Sequence, residues 1–290
     1  MSMQFRKPAR PLVVYTDLDG TLLDHDTYRF DAAVPALQRL AALGVPVIPV
    51  TSKTLAELEK LNDTLDLKGP CIAENGGLIA FPSGYFETTA PLLTVGRYQV
   101  QSLSPDYPRI LDTLTELRQA YGFNFTGFAD LSDTNVAALT GLDKKDAHLA
   151  RRRLCSEPLI WNDGDAAFKH FLQELDRRDY TLVKGGRFCH VLGRTDKALA
   201  IHRLDDFFTA AGFSDFTRIA LGDSPNDTRM LQVADVAVVV RRKDGSCLQV
   251  ETAGRKVETR AGGPVGWNAF FQQYLDELEA EGGIQRTLHG

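Results

Sequence analysis

Residues Leu12–Thr16 form an unbroken run of apolar, β-branched and aromatic side chains that stops at Asp17 and Gly20. That is the pattern of a buried strand running into a functional loop. Across 32–43, Val34, Leu37, Leu40, Ala41 and Leu43 recur at helical spacing and Gly44 follows as a C-cap, so a helix is predicted there. Val45–Val50 reads as a second strand. Apolar positions 55, 58, 61 and 65 mark a second helix, and Cys71–Ala73 a third strand before Asn75-Gly76-Gly77. This order, strand-helix-strand-helix-strand, predicts a parallel sheet with right-handed crossovers.

The rhythm breaks after about Phe86, where prolines stand at 91, 105 and 108 and short strands and helices alternate up to Arg187. It resumes near Asp196 with a helix to Ala211, a strand at Phe216–Leu221, a helix from Pro225 to Val233 and a strand at Val236–Val240. The simplest account is one α/β core, residues 1–85 and 191–290, interrupted by an inserted domain at 86–190. Residues 266–282 close the chain as a helix whose Trp267, Phe270, Phe271, Tyr274, Leu275 and Leu278 form a broad apolar stripe for packing on that core.

Composition narrows the class. The 290 residues are 43% hydrophobic and 24% charged, which argues against disordered and low-complexity chains. With 33 basic and 38 acidic residues the net charge is −5, offering no general attraction to nucleic acid or an anionic membrane. The four cysteines, Cys71, Cys155, Cys189 and Cys247, contain no CxxC pair, so neither a zinc knuckle nor a disulfide framework is signalled. The basic start of the chain lacks a signal-peptide core, and no 18-residue apolar stretch exists to span a bilayer. A cytoplasmic protein with a small-molecule ligand is expected.

The candidate chemistry lies at two strand ends. Asp17-Leu18-Asp19-Gly20-Thr21 follows the first strand, and Gly222-Asp223-Ser224-Pro225-Asn226-Asp227 follows the strand at 216–221. In a parallel sheet both clusters face the same carboxyl edge, where such sheets place their ligand crevice. An acidic turn alone would explain either cluster; two together would repel strongly unless a cation lay between them, and hard oxygen donors suit Mg²⁺. Asp17 and Asp223 are the expected side-chain ligands, with residue 19 contributing its backbone carbonyl. Such a site favours phosphoryl transfer, with a carboxylate able to act as nucleophile.

The DLDGTLLD run at 17–24, Thr51-Ser52-Lys53 after the second strand, a lysine before a later helix, and GDSPND at 222–227 resemble the four motifs of the haloacid dehalogenase superfamily of phosphatases. The resemblance implies a Rossmann-type parallel core with an inserted α/β cap of the larger, second type (C2B). It implies Asp17 as nucleophile and Asp19 as general acid and base, a division consistent with one carboxylate held ionised on the metal and its neighbour free to carry a proton. Thr51 is implied to bind a phosphoryl oxygen, although a Thr there also suits a helix cap. Two lysines compete for the third motif, Lys184 and Lys197. Lys197 opens the returning helix, which is where the family places the lysine bridging nucleophile and phosphate. Asn226 and Asp227 are expected to support the metal site from behind its ligands. One departure is Ala198, where relatives commonly carry Gly after that lysine.

Within the insertion, Asn124–Phe128, Arg153–Pro158 and Lys184–His190 are similar to the mannosyl-3-phosphoglycerate phosphatase branch, as are Thr51-Ser52-Lys53 and Glu74–Gly77. The substrate so implied is a small phosphorylated sugar acid. Gly185-Gly186 would let backbone amides approach an anion, Arg187 would grip a carboxylate, and Glu157 would accept from sugar hydroxyls. Ser52, Lys53, Asn75, Arg153, Lys184 and His190 complete the expected binding set. Ordinary readings exist for each cap residue: a hairpin turn at 185–186, a solvated strand residue at Arg187, an exposed acid at Glu157, a packing histidine at His190, and a solvated basic face at Arg151–Arg153. Two other classes share these motifs, a phosphomutase passing the phosphoryl group to a sugar and a sensor that has lost turnover. Retention of both Asp17 and Asp19 speaks against the sensor.

Overall fold

The computed structural model describes residues 4–5, 11–185, 188–281 and 286–287. Contacts group the chain into two compact units, one of residues 1–51, 86–88 and 201–290, the other of 52–85 and 89–200. None of the described helices is long and apolar enough to cross a membrane.

The first unit is built on a five-stranded, wholly parallel sheet in the order Arg255–Gly262, Val236–Arg241, Thr217–Gly222, Leu12–Thr16, Val47–Pro49. Two of its inner strands, Leu12–Thr16 and Val236–Arg241, are nearly continuous apolar runs because both faces are covered, and every residue of Leu12–Thr16 is buried. The helix Gly263–Ala280 buries Trp267, Phe270, Phe271, Tyr274 and Leu275, the stripe expected from sequence. Its Trp267 Nε1 also donates to Thr16 Oγ1 at 3.1 Å, so the indole N–H is satisfied beside the strand end. Below it, Tyr15 Oη donates to Asp205 Oδ1, and Arg218 Nε to Asp205 Oδ2, each at 2.5 Å. Burial raises the Asp205 carboxyl while these two donors oppose the shift.

The sequence pattern misses one strand of this sheet and misplaces another. Arg255–Gly262 is a mostly exposed or half-exposed edge strand with charged residues at alternate positions, so it carries no apolar run to reveal it. Cys71–Ala73 does not join the parallel sheet. The chain turns at Glu74–Gly77, and Leu78–Pro82 returns antiparallel to it, with Ala73 opposite Leu78.

The second unit contains two four-stranded antiparallel sheets. One runs Cys71–Ala73, Leu78–Pro82, Tyr98–Ser102, Leu93–Val95; the other runs Tyr180–Lys184, Cys189–Gly193, Ser156–Trp161, Phe125–Gly127. Helices Tyr107–Tyr121 and Asp165–Asp176 pack on one face of the latter sheet through Ile110, Leu114, Leu117, Phe171 and Leu175 against Phe125, Leu159 and Val191, with Trp161 at the margin. Two short helices, Asp133–Thr140 and Lys144–Arg151, pack on each other around Val136 and Ala147. Helix Leu55–Leu65 has the bounds its apolar spacing predicts, and Thr54 caps it. The Thr54 hydroxyl accepts from Glu57 N at 3.1 Å while Glu57 Oε2 accepts from Thr54 N at 2.8 Å.

Candidate active site

In the first unit the acidic motifs meet. Asp17 N donates to Leu221 O at 2.9 Å, extending the parallel ladder one residue and fixing Asp17 beside the end of the neighbouring strand. The chain then turns tightly: Thr21 N and Leu23 N both donate to Leu18 O, and the buried side chains of Leu18, Leu22 and Leu23 anchor the turn. Gly20 takes φ +84° there, and a Cβ on it would lie 3.0 Å from Asp223 Oδ2. Both its backbone angle and that approach call for glycine. From the other side, Thr21 Oγ1 donates to Asp223 Oδ1 at 3.1 Å.

The second motif is held by its own last residue. Asp227 is fully buried and its Oδ2 accepts from Asp223 N at 3.0 Å and Ser224 N at 2.9 Å. Gly222 leaves the room for this; a Cβ there would lie 2.5 Å from that of Asp227. The outcome is a cluster of three buried carboxylates, Asp17, Asp223 and Asp227, each offering an oxygen within 4.8 Å of the others. Unscreened negative charges at that spacing repel by several kcal/mol even at an effective dielectric of about 20. An all-carboxylate oxygen set so arranged fits a small hard dication. Asp19 lies half-buried in the same turn and outside that cluster. Asn226 is half-buried beside Asp227.

Thr51 is buried one residue beyond Val50, whose N donates to Thr16 O at 2.8 Å. It therefore sits at the carboxyl end of its own parallel strand, and the helix cap that a threonine here suggested is supplied by Thr54 instead. Next to Asp223 opens a cleft of about 810 Å³ lined also by Gly20, Asp24, His25, Arg242 and Lys243.

The second unit gathers a different set. Glu74 is fully buried with φ +51°, followed by Asn75 at +58° and Gly76 at +91°, three consecutive left-handed residues. Gly76 is tightly enclosed: a Cβ there would lie 2.2 Å from Asp196 O and 2.9 Å from Lys197 N. Glu74 N donates to Lys53 O, and its carboxylate accepts from Leu154 N, Cys155 N and Ser156 Oγ. Arg153 pairs with Glu74 at 3.6 Å and donates to Ser52 O, Ala150 O and Ser156 Oγ. Each guanidinium nitrogen thus donates to the protein, and the side chain ties the Ser52–Lys53 segment to the Arg153–Ser156 segment. Arg153 is buried, as are Asn75 and Lys197, while Ser52 and Lys53 are half-buried.

The two candidate lysines differ sharply. Lys184 is exposed at the end of a hairpin strand, whereas Lys197 is 1% exposed at the first position of helix Lys197–Ala210. A buried ammonium is tolerated only where it is paired, so Lys197 sits in an environment quite unlike that of its exposed competitor. Leu199 N donates to Asp196 Oδ1 at 2.8 Å, capping the helix just before it.

Strand register separates two residues that the expected binding set brings together. Glu157 pairs with Val191 and Pro158 with His190, so Glu157 and His190 lie on opposite faces of the sheet. Glu157 is buried on the helix-covered face, where Tyr107 Oη donates to it at 2.7 Å and Ala129 N at 2.8 Å. Burial raises its carboxyl despite these donors. Gly127 makes the space, since a Cβ there would lie 2.3 Å from Glu157 Oε1. The Lys184–Cys189 turn is a hairpin with Gly185 N donating to Phe188 O; Gly186 and Arg187 lie outside the described residues.

His190 is buried with Nδ1 lacking a hydrogen-bond partner. Burial first, then the charges of Arg153 and Lys197, push its imidazole down to about 3 from an ordinary 6.5. The folded protein therefore holds it neutral, and the unfolded chain takes up its proton first. Its contribution to stability is complete above pH 6.5 and is lost as pH falls toward 3. Between pH 7 and pH 5 the wild type should lose on the order of 2 kcal/mol more stability than His190→Gln, read from urea titrations of both at each pH. Parallel pH dependence of the two would show that His190 is not held neutral by the fold.

Comparison with known proteins bears on these arrangements. Residues 14–93 match the haloacid dehalogenase-like hydrolase family. A protein of Methanococcoides burtonii named glucosyl-3-phosphoglycerate/mannosyl-3-phosphoglycerate phosphatase is 38% identical over 257 residues, covering 88% of this chain and 94% of the relative. The chain belongs to the haloacid dehalogenase-like hydrolase family. A Persephonella marina protein of the same name is 32% identical, covering 92% of this chain and 98% of its own. Among solved structures, the subclass IIB sugar phosphatase BT4131 aligns over 94% of this chain and 99% of its own with a TM-score of 0.59 and 16% identity, a likeness of fold. The α/β class with a parallel sheet and a subclass IIB neighbour agrees with the core-and-cap architecture expected from the motifs.

Arg242 and Tyr107 lie outside the motifs read from sequence. For Arg242 a signal existed: it directly follows Val236–Arg241 at the carboxyl end of a parallel strand, the edge on which ligand sites are built.

Proposed function

We propose that this protein is a Mg²⁺-dependent phosphatase that hydrolyses a glycosyl-3-phosphoglycerate, the mannosyl or the glucosyl ester, to glycosylglycerate and phosphate. The observation that carries the reading is the convergence of Asp17, Asp223 and Asp227 at the end of adjacent parallel strands. The names and near-complete overlap of the two relatives support the substrate class. With the reading goes a division into a catalytic core, residues 1–85 and 191–290, and a substrate-reading cap, 86–190.

Asp17 is the nucleophile: a carboxylate oxygen attacks phosphorus in line as the ester oxygen departs, giving an aspartyl-phosphate. Asp19, on the same tight turn but outside the carboxylate cluster, protonates the departing glycerate oxygen and then takes the proton of the water that cleaves the acyl phosphate. Thr51 and Lys197 bind the phosphoryl oxygens, one by a hydroxyl and one by charge. Asp17, Asp223 and the backbone carbonyl of Asp19 would hold the metal, with Asp227 in its cluster. When bound, the ion supplies positive charge that screens these carboxylates and neutralises charge on the transferring group. Ser52, Lys53, Asn75, Arg153, Lys184, Gly185, Gly186, Arg187 and His190 form the region that reads the substrate. Within it Arg153 acts by holding the Ser52–Lys53 backbone, and Glu157 by fixing Tyr107 and Ala129.

The test is phosphate release with Mg²⁺ against mannosyl-3-phosphoglycerate, glucosyl-3-phosphoglycerate, 3-phosphoglycerate and hexose 6-phosphates. The glycosyl-phosphoglycerates should show the highest kcat/KM by at least about tenfold, which corresponds to a difference of roughly 1.4 kcal/mol in transition-state binding. A hexose phosphate turned over faster than both would refute the substrate class. Transfer of the phosphoryl group to an added sugar phosphate in place of water would make the protein a mutase.

A further inference from the structure

Arg242 stands where charge alone argues against an arginine. Its Nε donates to the backbone carbonyl of Asp223 at 2.8 Å, and its side chain shares the wall of the same cleft with Asp223 and Gly20. A fixed positive charge beside a cation site weakens cation binding by simple repulsion. Its presence therefore asks for a geometric reason.

The surroundings supply one. Asp223 is fastened at two other atoms: its N donates to Asp227 Oδ2 and its Oδ1 accepts from Thr21 Oγ1. The Arg242 bond fixes the remaining backbone group, the carbonyl, so the peptide planes on both sides of the Asp223 Cα are held. Arg242 is itself rigidly mounted. Its N donates to Ser246 O, its carbonyl accepts from Gly245 N, and the turn between is closed by Asp244 Oδ1, which accepts from Ser246 N and Oγ. The preceding residue is tied to the edge strand, with Arg241 N donating to Thr259 Oγ1 and Arg241 Nε to Thr259 O. A charge-assisted bond from so rigid a turn defines the position of a carbonyl far better than water would.

We propose that Arg242 is a positioning residue for the metal site, acting through the Asp223 carbonyl to hold the Asp223 carboxylate in its ligating place. The inference rests on the reading of Asp223 as a metal ligand. Groups that orient a ligand from behind typically account for 10- to 100-fold in metal affinity, which sets the size of the effect.

Mg²⁺ affinity is measured directly by calorimetry on wild type, Arg242→Ala, Arg242→Lys and Asp223→Asn, without substrate. Arg242→Ala should raise the Mg²⁺ Kd by at least about tenfold, and the Mg²⁺ concentration for half-maximal phosphate release should rise by a similar factor. The sign is decisive, because a residue acting only by its charge would, on removal, tighten the cation. Unchanged or tighter Mg²⁺ binding in Arg242→Ala overturns the proposal. Arg242→Lys keeps the charge and the apolar stem while losing the Nε donor, so it too should bind Mg²⁺ more weakly than wild type; wild-type affinity in it overturns the proposal even where the alanine variant folds poorly. Asp223→Asn separates the two readings. Its loss of Mg²⁺ binding upholds Asp223 as ligand whatever Arg242 does, and its retention of wild-type binding overturns both.

Discussion

Asp17→Asn should abolish phosphate release, lowering kcat by about a thousandfold or more, while the folded protein becomes more stable in the absence of metal. The two effects have one cause. The side chain is nearly isosteric, and the backbone bond from Asp17 N to Leu221 O is untouched, so the strand end keeps its place. What disappears is one of three buried carboxylates whose oxygens lie within 4.8 Å of each other, and with it both the proposed nucleophilic oxygen and the repulsion it contributes when ionised. Thermal melts in chelator should therefore show a higher midpoint for Asp17→Asn than for wild type, and Mg²⁺ should narrow the gap because it stabilises the wild type by binding its folded form. Retention of more than a few per cent of wild-type turnover by a deamidation-free preparation would remove Asp17 from the nucleophile's role. An unchanged or lower midpoint in chelator would mean the cluster carries less charge than its three carboxylates imply.

The second large effect is on stability. Arg153→Met should cost about 3–5 kcal/mol, because it removes the guanidinium from a fully buried carboxylate. Glu74 would keep its bonds from Leu154 N, Cys155 N and Ser156 Oγ, but three dipoles without a counter-charge hold a buried anion poorly. Ser52 O and Ala150 O would also lose their donors. Adding Glu74→Gln to Arg153→Met should recover part of that loss, so the double variant is more stable than the sum of the singles predicts. Urea unfolding of the four proteins gives the coupling directly. A cost below about 1 kcal/mol for Arg153→Met, or strict additivity, would show that the pair is not the fastening described here.

What could be read from sequence follows from what each segment must satisfy on its own. Leu12–Thr16 and Val236–Val240 were legible because a parallel strand buried on both faces has to be apolar throughout, and the helix at 55–65 because its apolar stripe is reinforced by a capping threonine and glutamate. Arg255–Gly262 was not, since it packs on the last helix with few apolar side chains and is charged or exposed at most positions, and the three residues of Cys71–Ala73 do not say which sheet they enter. The same division holds at the site. Asp17 and Asp223 stand at ends of strands that announce themselves. By contrast, the separation of Glu157 from His190 depends on a cross-strand register that no local pattern encodes, and Arg153 resembles a surface basic residue until its buried counter-ion, 79 positions earlier, is known.

The chain has two tryptophans, and they fall one to each compact unit: Trp267 wholly buried against the strand that delivers Asp17, Trp161 at the margin of the aromatic cluster under the antiparallel sheet. Each half of the molecule thus carries its own natural fluorophore. Replacing either with phenylalanine leaves a single-colour reporter, from whose emission the melting of one half is followed without labels and without interference from the other.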